Sequence, residues 1–390
     1  MPVLGCSQGS GDHMKYDVAV VGLGAMGSAT TYALAQRGVR VIGIDRFEPP
    51  HDRGSSHGES RVIRMAYFED PAYVPLLQLA FEDWRRLESY TGKRVLTITG
   101  VVEAGYKGAP LVEGSVRSAI QHNLPYEVLR ASEVNLRFPA FSLPADWDCV
   151  FQPDGGVLRP ETAIQLFLSA ARGLGALFRL NAVVRTVQPV ADHVEVQLES
   201  GEIIEAGSVV LCAGPWISEL IPELRGHLFL TRQPLVWFRP SDQERVRADR
   251  MPVFFLQTKD DLVYGFPDLF GTGVKVASHL SGGDLPGPGA PRSDASDEEK
   301  AYLGTVLKRY VPAADGDPYR TTTCIYTRAP DGHFVLGLHP RHPQIVIASP
   351  CSGHGFKFAS VFGEVLADLA TKQTTDKPID LFRPGRFMEP

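Results

Sequence analysis

The chain has 390 residues, 44% of them hydrophobic and 22% charged, the make-up of one large or two interleaved globular domains and not of a disordered, collagen-like or coiled-coil protein. Lys and Arg total 39 against 45 Asp and Glu, a formal charge of −6, so no binder of a phosphate backbone, and no nucleic acid partner, is expected. Apolar runs such as 18–21 and 345–348 fall far short of the roughly eighteen residues of a membrane span. The five cysteines, Cys6, Cys149, Cys212, Cys324 and Cys351, are odd in number and lack metal-ligand spacing, which predicts no disulfide framework, no metal site and a reducing cytoplasm.

Residues 1–13 read as a polar extension, with the folded chain starting near Met14; Val3-Leu4-Gly5-Cys6 looks like a lipoprotein cleavage site but has no basic and apolar segment before it. From Asp17 a β-branched run feeds straight into Gly22-Leu23-Gly24-Ala25-Met26-Gly27. This is G-x-G-x-x-G, whose glycines serve a tight turn, the approach of a pyrophosphate and the packing of the next helix. Residues 29–37 continue as that helix, Gly38 stops it, and 39–45 form a second strand ending in Asp45. Asp45 is placed to hold a ribose hydroxyl, and Arg46 beside it is a further candidate cofactor contact. The motif alone fits NAD or FAD. An NAD enzyme would run on through more strand-helix units, whereas 47–51 break into a polar, glycine- and serine-rich loop.

The periodicities predict a helix over 74–87, a strand over 94–103, a helix over 161–174 and short strands over 182–189, 194–198 and 202–206, then a buried strand from Val209 ending at Gly214. Aromatics at Trp237, Phe238, Phe254, Phe255, Tyr264 and Phe266 point to β-sheet over an apolar cavity. Residues 281–291, rich in Gly and Pro, predict an exposed loop, and Ser296-Asp-Glu-Glu299 a capping box for a helix to Tyr310. The segment from Ile345 through Ser352-Gly353-His354-Gly355-Phe356-Lys357 repeats strand, glycine turn and helix, the helix running to about Leu369. A second glycine turn aimed at a helix N-terminus assembles the cofactor domain from both chain ends, an arrangement typical of flavoproteins. The expected fold is α/β, α+β overall: a Rossmann-like FAD-binding domain (14–90, 150–225 and 328–390) interleaved with a substrate domain (91–149 and 226–327) built on a mostly antiparallel β-sheet.

These segments together resemble the monomeric sarcosine oxidase and N-methyltryptophan oxidase family, of the D-amino acid oxidase-like superfamily, from Met14 to Phe387. The residues that carry the resemblance are Gly22 to Gly27, Pro49-Pro50-His51, His57-Gly58-Glu59-Ser60-Arg61-Val62-Ile63-Arg64, Tyr264 to Pro267, Lys275 with His279, Thr323-Cys324-Ile325-Tyr326 and Ser352 to Phe358. The resemblance implies FAD held through a cysteine, and oxidation of a secondary amino acid by O₂ to an imine, which hydrolyses, plus H₂O₂, in a monomer. It further implies that His57 and Arg61 face the flavin, that Arg64 and Lys357 clamp the substrate carboxylate, that Tyr264, His279 and Tyr326 shape the pocket, and that Lys275 activates oxygen. Ser56 and Met65 depart from the family pattern, which often has His at both places, and this bears on substrate size.

Residue chemistry stands beside these expectations. Three potential cations within eight residues, His57, Arg61 and Arg64, are costly to bury without anions. Lys275 lies between Val274 and Val276 in a strand-like segment, so it faces away from whatever the valines face. For the flavin link the candidates are Cys324, which matches the family position, and Cys351 beside the glycine turn; Cys149 and Cys212 look like core. Gly22, Gly24, Gly27, Gly353 and Gly355 belong to the two cofactor turns. No dedicated strong base is expected, because hydride loss needs only an unprotonated amine. Two alternatives remain: a flavin dehydrogenase using another electron acceptor, and a noncatalytic dinucleotide-binding protein. The substrate stays open among sarcosine, N-methyltryptophan, pipecolate, proline and related amines.

Overall fold

A wholly apolar β-branched run can bury both its faces only inside a sheet, and the computed structural model, which describes residues 16–279 and 282–388, places Tyr16–Val21 at the centre of one. This strand pairs in parallel with Val41–Ile44 on one side and Ile203–Leu211 on the other. Ile203–Leu211 in turn pairs in parallel with Ile345–Ser349, so strands from both ends of the chain lie within one eight-stranded sheet. Leu177–Arg179 extends it beyond Val41–Ile44, and the antiparallel hairpin of Val184–Val190 and His193–Leu198 forms the other edge.

Two sequence expectations are corrected here. Residues 202–206 and 209–214 do not form separate strands but one, Ile203–Leu211, half-exposed where it pairs with the hairpin and fully buried where it reaches the central strands. The change of polarity along a single strand had the look of a boundary. Residues 94–103 do the reverse, dividing at Gly100 (φ +74°) into Leu96–Ile98 and Val101–Gly105, which join different sheets.

The second sheet has nine strands, mostly antiparallel. Val101–Gly105, Asp148–Gln152 and Glu127–Arg130 contribute one side of it, and strands between Phe229 and Arg328 the rest. The one parallel pair joins Val253–Gln257 to Val101–Gly105. Of the loop expected over 281–291, Ser281 lies outside the described residues, and Asp284–Leu285 forms a short strand on Phe229–Phe238. Arg61–Ile63, Leu96–Ile98 and Gly156–Leu158 form a third, three-stranded sheet.

The helix after the first glycine motif, Ala25–Gln36, packs on Ala359–Lys372, the helix after the second. The predicted helices appear as Val74–Thr91, Pro160–Gly173 and Asp297–Tyr310, the last with the Ser296/Glu299 capping box in place. Residues 1–13, expected to be an extension, lie outside the described residues. Among the described residues no helix is long and apolar enough to cross a membrane.

Candidate active site

Gly22 sits at the end of the first strand with φ +91°, and a Cβ there would lie 2.4 Å from the Cys212 carbonyl oxygen, so only glycine fits the turn. The helix that follows starts at Gly24 with no side-chain cap. Its first-turn N–H groups are therefore left for an outside acceptor, the usual reason a helix N-terminus binds phosphate. Gly24, Ala25 and Met26 form one end of an elongated cavity of about 1840 Å³, counted with its open mouth. It runs from this glycine turn to the Tyr264 and Tyr326 rings. Asp45 and Arg46 are on its wall. Asp45 also braces the turn, accepting from Leu23 N–H at 2.6 Å and Phe47 N–H at 2.9 Å, while Arg46 stacks over Trp216 at 4.8 Å.

The loop before Arg61–Ile63 carries the cavity's middle. Arg61 donates through Nη2 to the Ser55 carbonyl at 2.7 Å and the Cys324 Sγ at 3.3 Å, and through Nη1 to the Ser60 carbonyl at 2.8 Å. The His57 ring stands 3.6 Å from the same sulfur but, unlike Arg61 and Cys324, is not on the cavity wall. Burial alone would push the Cys324 thiol up; Arg61, His57 and Lys275 outweigh it and hold the thiol down at about 6. Burial pushes Cys149 and Cys212 up to about 12. Cys351 also lines the cavity, where its sulfur accepts only the Thr327 N–H.

Val274 and Val276 enter the second sheet's core, so Lys275 faces the other way, as their alternation requires. Its Nζ donates to the carbonyls of Gly58 and Ser60, both at 2.8 Å, and lies 4.2 Å from the Phe266 ring centroid. Burial, with Arg61 nearby, holds its pKa well below that of an ordinary lysine. Lys275 is thus behind the cavity wall, gripping from one side the loop whose N–H groups at Gly58 and Glu59 are held by Glu161 from the other.

At the far end, Arg64 is 1% exposed and already holds a carboxylate: its Nη2 donates to both Glu69 oxygens at 2.8 and 2.6 Å, with Glu103 3.5 Å from its Nε. Burial works to raise Glu69, but Arg64, helped by His354 and Lys357, brings it down to about 2. Burial dominates at Glu103 and lifts it to about 7. Lys357, in the turn Phe356–Phe358, is lowered to about 7 by burial and by Arg64. Tyr264, His279 and Tyr326 close the chamber together, the two hydroxyls 3.4 Å apart and the His279 ring 5.8 Å from that of Tyr326. Gly353 (φ +85°) presses on this group, since a Cβ there would come within 2.7 Å of the Tyr326 ring. His279 is driven down to about 4 by burial, so it is neutral at neutral pH.

The cavity therefore brings together every predicted site residue except Gly27, His57 and Lys275, which stand directly behind its wall. Of the predicted aromatics Phe255, Tyr264 and Phe266 line it, whereas Trp237, Phe238 and Phe254 pack elsewhere in the core. Sequence reasoning missed Tyr67, Glu69, Glu103 and the role of His354. Glu69 reads only as an acid before the Asp70-Pro71 helix start, and nothing in the spacing ties it to Arg64. Away from the cavity, His193, Glu195 and Glu205 place ligand atoms within 4.8 Å of one another on the edge hairpin and its neighbour.

Residues 17–369 match the model of the FAD dependent oxidoreductase (DAO) family. The chain is 39% identical to a monomeric sarcosine oxidase of Streptomyces avermitilis over 95% of its own length and 98% of the relative's. It is 33% identical to an N-methyl-L-tryptophan oxidase of Yersinia pestis, over 96% of this chain and all of that one. Among solved structures it resembles NikD, an unusual amino acid oxidase essential for nikkomycin biosynthesis, with a TM-score of 0.84, 28% identity, and coverage of 95% of this chain and 97% of the other.

Since only a thiolate is alkylated at a useful rate, protein prepared without flavin should react with iodoacetamide at Cys324 with a half-point near the thiol's value of about 6. Arg61→Gln should move that half-point up by about one pH unit or more. A wild-type half-point near the ordinary cysteine value of about 8.5, read by mass spectrometry of the modified residue, would show that Arg61 and His57 do not activate this sulfur.

Proposed function

The chain belongs to the FAD dependent oxidoreductase family, and from that premise we propose that it is an oxidase of secondary, chiefly N-methyl, amino acids, using O₂ and working as a cytoplasmic monomer. One observation carries the substrate class: at the end of the cavity that begins at the Gly22 to Gly27 turn, a buried arginine with a lysine beside it already grips a carboxylate, that of Glu69, under an aromatic wall. An amino acid presents the same group, and the aromatic chamber suits its N-methyl end.

The residues present fit FAD. The uncapped helix start at Gly24 would hold the pyrophosphate, Asp45 and Arg46 the ribose side, and the Gly353 to Gly355 turn with Arg61 the ring system. Cys324 is the proposed covalent attachment, supported by its lowered pKa and its place on the wall; Cys351 is the alternative on the same wall. FAD supplies, when bound, the acceptor for the hydride equivalent that leaves the carbon next to nitrogen. The chain's own part is to orient and polarise. Arg64 and Lys357 fix the carboxylate, each charge-assisted contact being worth about 1.5–3 kcal/mol. The cations around the chamber disfavour an ammonium and so favour the unprotonated amine, and neutral His279 with the two tyrosines excludes water without adding a strong base. We assign 14–90, 150–225 and 328–390 chiefly to the cofactor and 91–149 and 226–327 chiefly to the substrate, with an exchange where they meet: Arg64 and Lys357 of the first set reach the substrate, and Cys324 of the second the flavin.

A second reading, a dehydrogenase passing electrons to another acceptor, draws on Lys275 being engaged by two carbonyls behind the wall. Anaerobic addition of sarcosine, N-methyltryptophan, pipecolate or proline should bleach the flavin with at least one of them, and admitting air should restore the colour with stoichiometric H₂O₂. Bleaching without peroxide selects the dehydrogenase; no bleaching by any secondary amino acid overturns the proposal.

Acid denaturation should leave the yellow chromophore on the wild-type protein and on Cys351→Ala, and free it from Cys324→Ala. The opposite pattern would move the attachment to Cys351.

Lys275 is proposed to serve oxygen. A unit charge about 4 Å away in an effective dielectric near 20 is worth roughly 4 kcal/mol, or about three decades in rate. Lys275→Met should therefore slow reoxidation in stopped flow by about two decades or more, yet change anaerobic reduction less than about tenfold. Equal damage to both half-reactions would mean that Lys275 acts only by holding the Gly58 to Ser60 loop.

A further inference from the structure

Tyr67 is 0% exposed and off the cavity wall, yet it touches both cations of the carboxylate grip. The Arg64 guanidinium lies over its ring, 4.3 Å from the centroid, and the Lys357 Nζ donates to its hydroxyl at 3.2 Å. The hydroxyl also meets His354 Nδ1 at 2.7 Å, and the opposite ring nitrogen, Nε2, meets the Gly332 carbonyl at 3.1 Å.

The direction of this chain follows from its last member. A carbonyl oxygen can only accept, so His354 Nε2 must carry its hydrogen. Burial lowers His354 to about 3, so the ring is neutral and Nδ1 bears a lone pair. His354 offers the Tyr67 hydroxyl two acceptors, Nδ1 at 2.7 Å and its carbonyl oxygen at 3.4 Å; the nearer takes the one hydrogen, and the Tyr67 oxygen is left able only to accept from Lys357. Lys357 spends a second N–H on the His354 carbonyl at 2.7 Å. Its third remains for the cavity.

We propose that Tyr67 and His354 are the positioning residues of the carboxylate grip, a one-way hydrogen-bond relay that keeps Lys357 a donor with one N–H turned to the ligand while the same tyrosine ring seats Arg64. The proposal rests on the reading that Arg64 and Lys357 bind the substrate carboxylate. The titratable and charged groups that face Lys357 are Arg64 just after the strand Arg61–Ile63, Tyr67 and Glu69 from the loop that follows, His354 from its own turn and His279 just after the strand Val274–Ser278, with Glu103 beyond Arg64.

The sign is fixed by these contacts. Lys357 titrates at about 7 and helps bind an anion only as the ammonium, so affinity for a carboxylate falls as pH rises through that value. Removing the Tyr67 oxygen takes an acceptor away from the ammonium and moves the fall to lower pH. Arg64 and Glu69 keep their charges across this range, and Glu103 is reached through Arg64 whereas Lys357 bonds Tyr67 directly, so none of the three accounts for a shift caused by Tyr67→Phe.

The test titrates acetate into the oxidised holoenzyme and follows flavin absorbance from about pH 6 to 9. Tyr67→Phe should displace the alkaline limb down by about one pH unit and weaken acetate about tenfold above pH 8. His354→Gln, whose amide can accept from Tyr67 and donate to Gly332, should stay near wild type, while His354→Leu should behave as Tyr67→Phe. Lys357→Met should abolish the limb, and Tyr67→Phe added to Lys357→Met should cost little more. An unmoved limb in Tyr67→Phe, a full extra loss in the double variant, or equal loss in His354→Gln and His354→Leu would overturn the relay. If Lys357→Met binds acetate as wild type does at every pH, it is the carboxylate grip itself that fails.

Discussion

Burying a positive charge without an anion costs several kcal/mol, and one cavity here gathers Arg61, Arg64, Lys275 and Lys357 at or behind its wall, the last three each no more than 5% exposed. Each is accommodated differently. Arg64 has the carboxylates of Glu69 and Glu103, Lys275 two backbone carbonyls, Lys357 a carbonyl and a phenol, and Arg61 two carbonyls and a sulfur. The differences set the chemistry. A sulfur beside Arg61 is held as a thiolate, a lysine short of anions is poised to lose its proton, and a chamber so charged favours anionic ligands and uncharged amines.

The loop from His51 to Arg64 is what allows the cations to be collected. It leaves the parallel sheet at the ribose end of the cavity and enters the small three-stranded sheet at Arg61. Its backbone has no ladder of its own between these points, so its polar groups find partners on other elements: N–H groups on Glu161, carbonyls on Lys275 and Arg61, and Ser55 Oγ on the Ile325 carbonyl. Glu161 stands on the helix Pro160–Gly173, Lys275 and Ile325 in the second sheet, and Arg61 closes the loop on itself. The loop therefore ties the two large sheets together at the place where the cavity passes from the dinucleotide turn to the chamber.

What was legible in the sequence is what short-range geometry dictates. The two glycine turns declare themselves because no side chain fits at Gly22 or Gly353, the capping box because Ser296 and Glu299 are one helical turn apart, and the direction of Lys275 because flanking valines alternate in a strand. What was not legible depends on distance along the chain. Tyr67 and His354 are separated by 287 positions, and Glu103 reaches Arg64 from another sheet. Glu69 is near Arg64 in sequence, but an irregular loop has no period from which to infer that they meet. Most residues that the resemblance names line one cavity, yet it could not distinguish a residue on the wall from one behind it, as His57 and Lys275 are.

The pairing of Arg64 with Glu69 also limits what the chamber can accept. A ligand that engages Arg64 must take the place of Glu69, and the buried guanidinium cannot be left with only Glu103, whose own burial works against its ionisation. A carboxylate ligand replaces one anion by another and leaves Arg64 paired, while Glu69, which lines the cavity and is 16% exposed, is released toward solvent. A simple amine carries no anion to exchange, so Glu69 stays on Arg64 and the amine gains nothing from the guanidinium. Selection for an amino acid over a simple amine thus follows from the charge that is already in the site, before any contact with the amine nitrogen is counted.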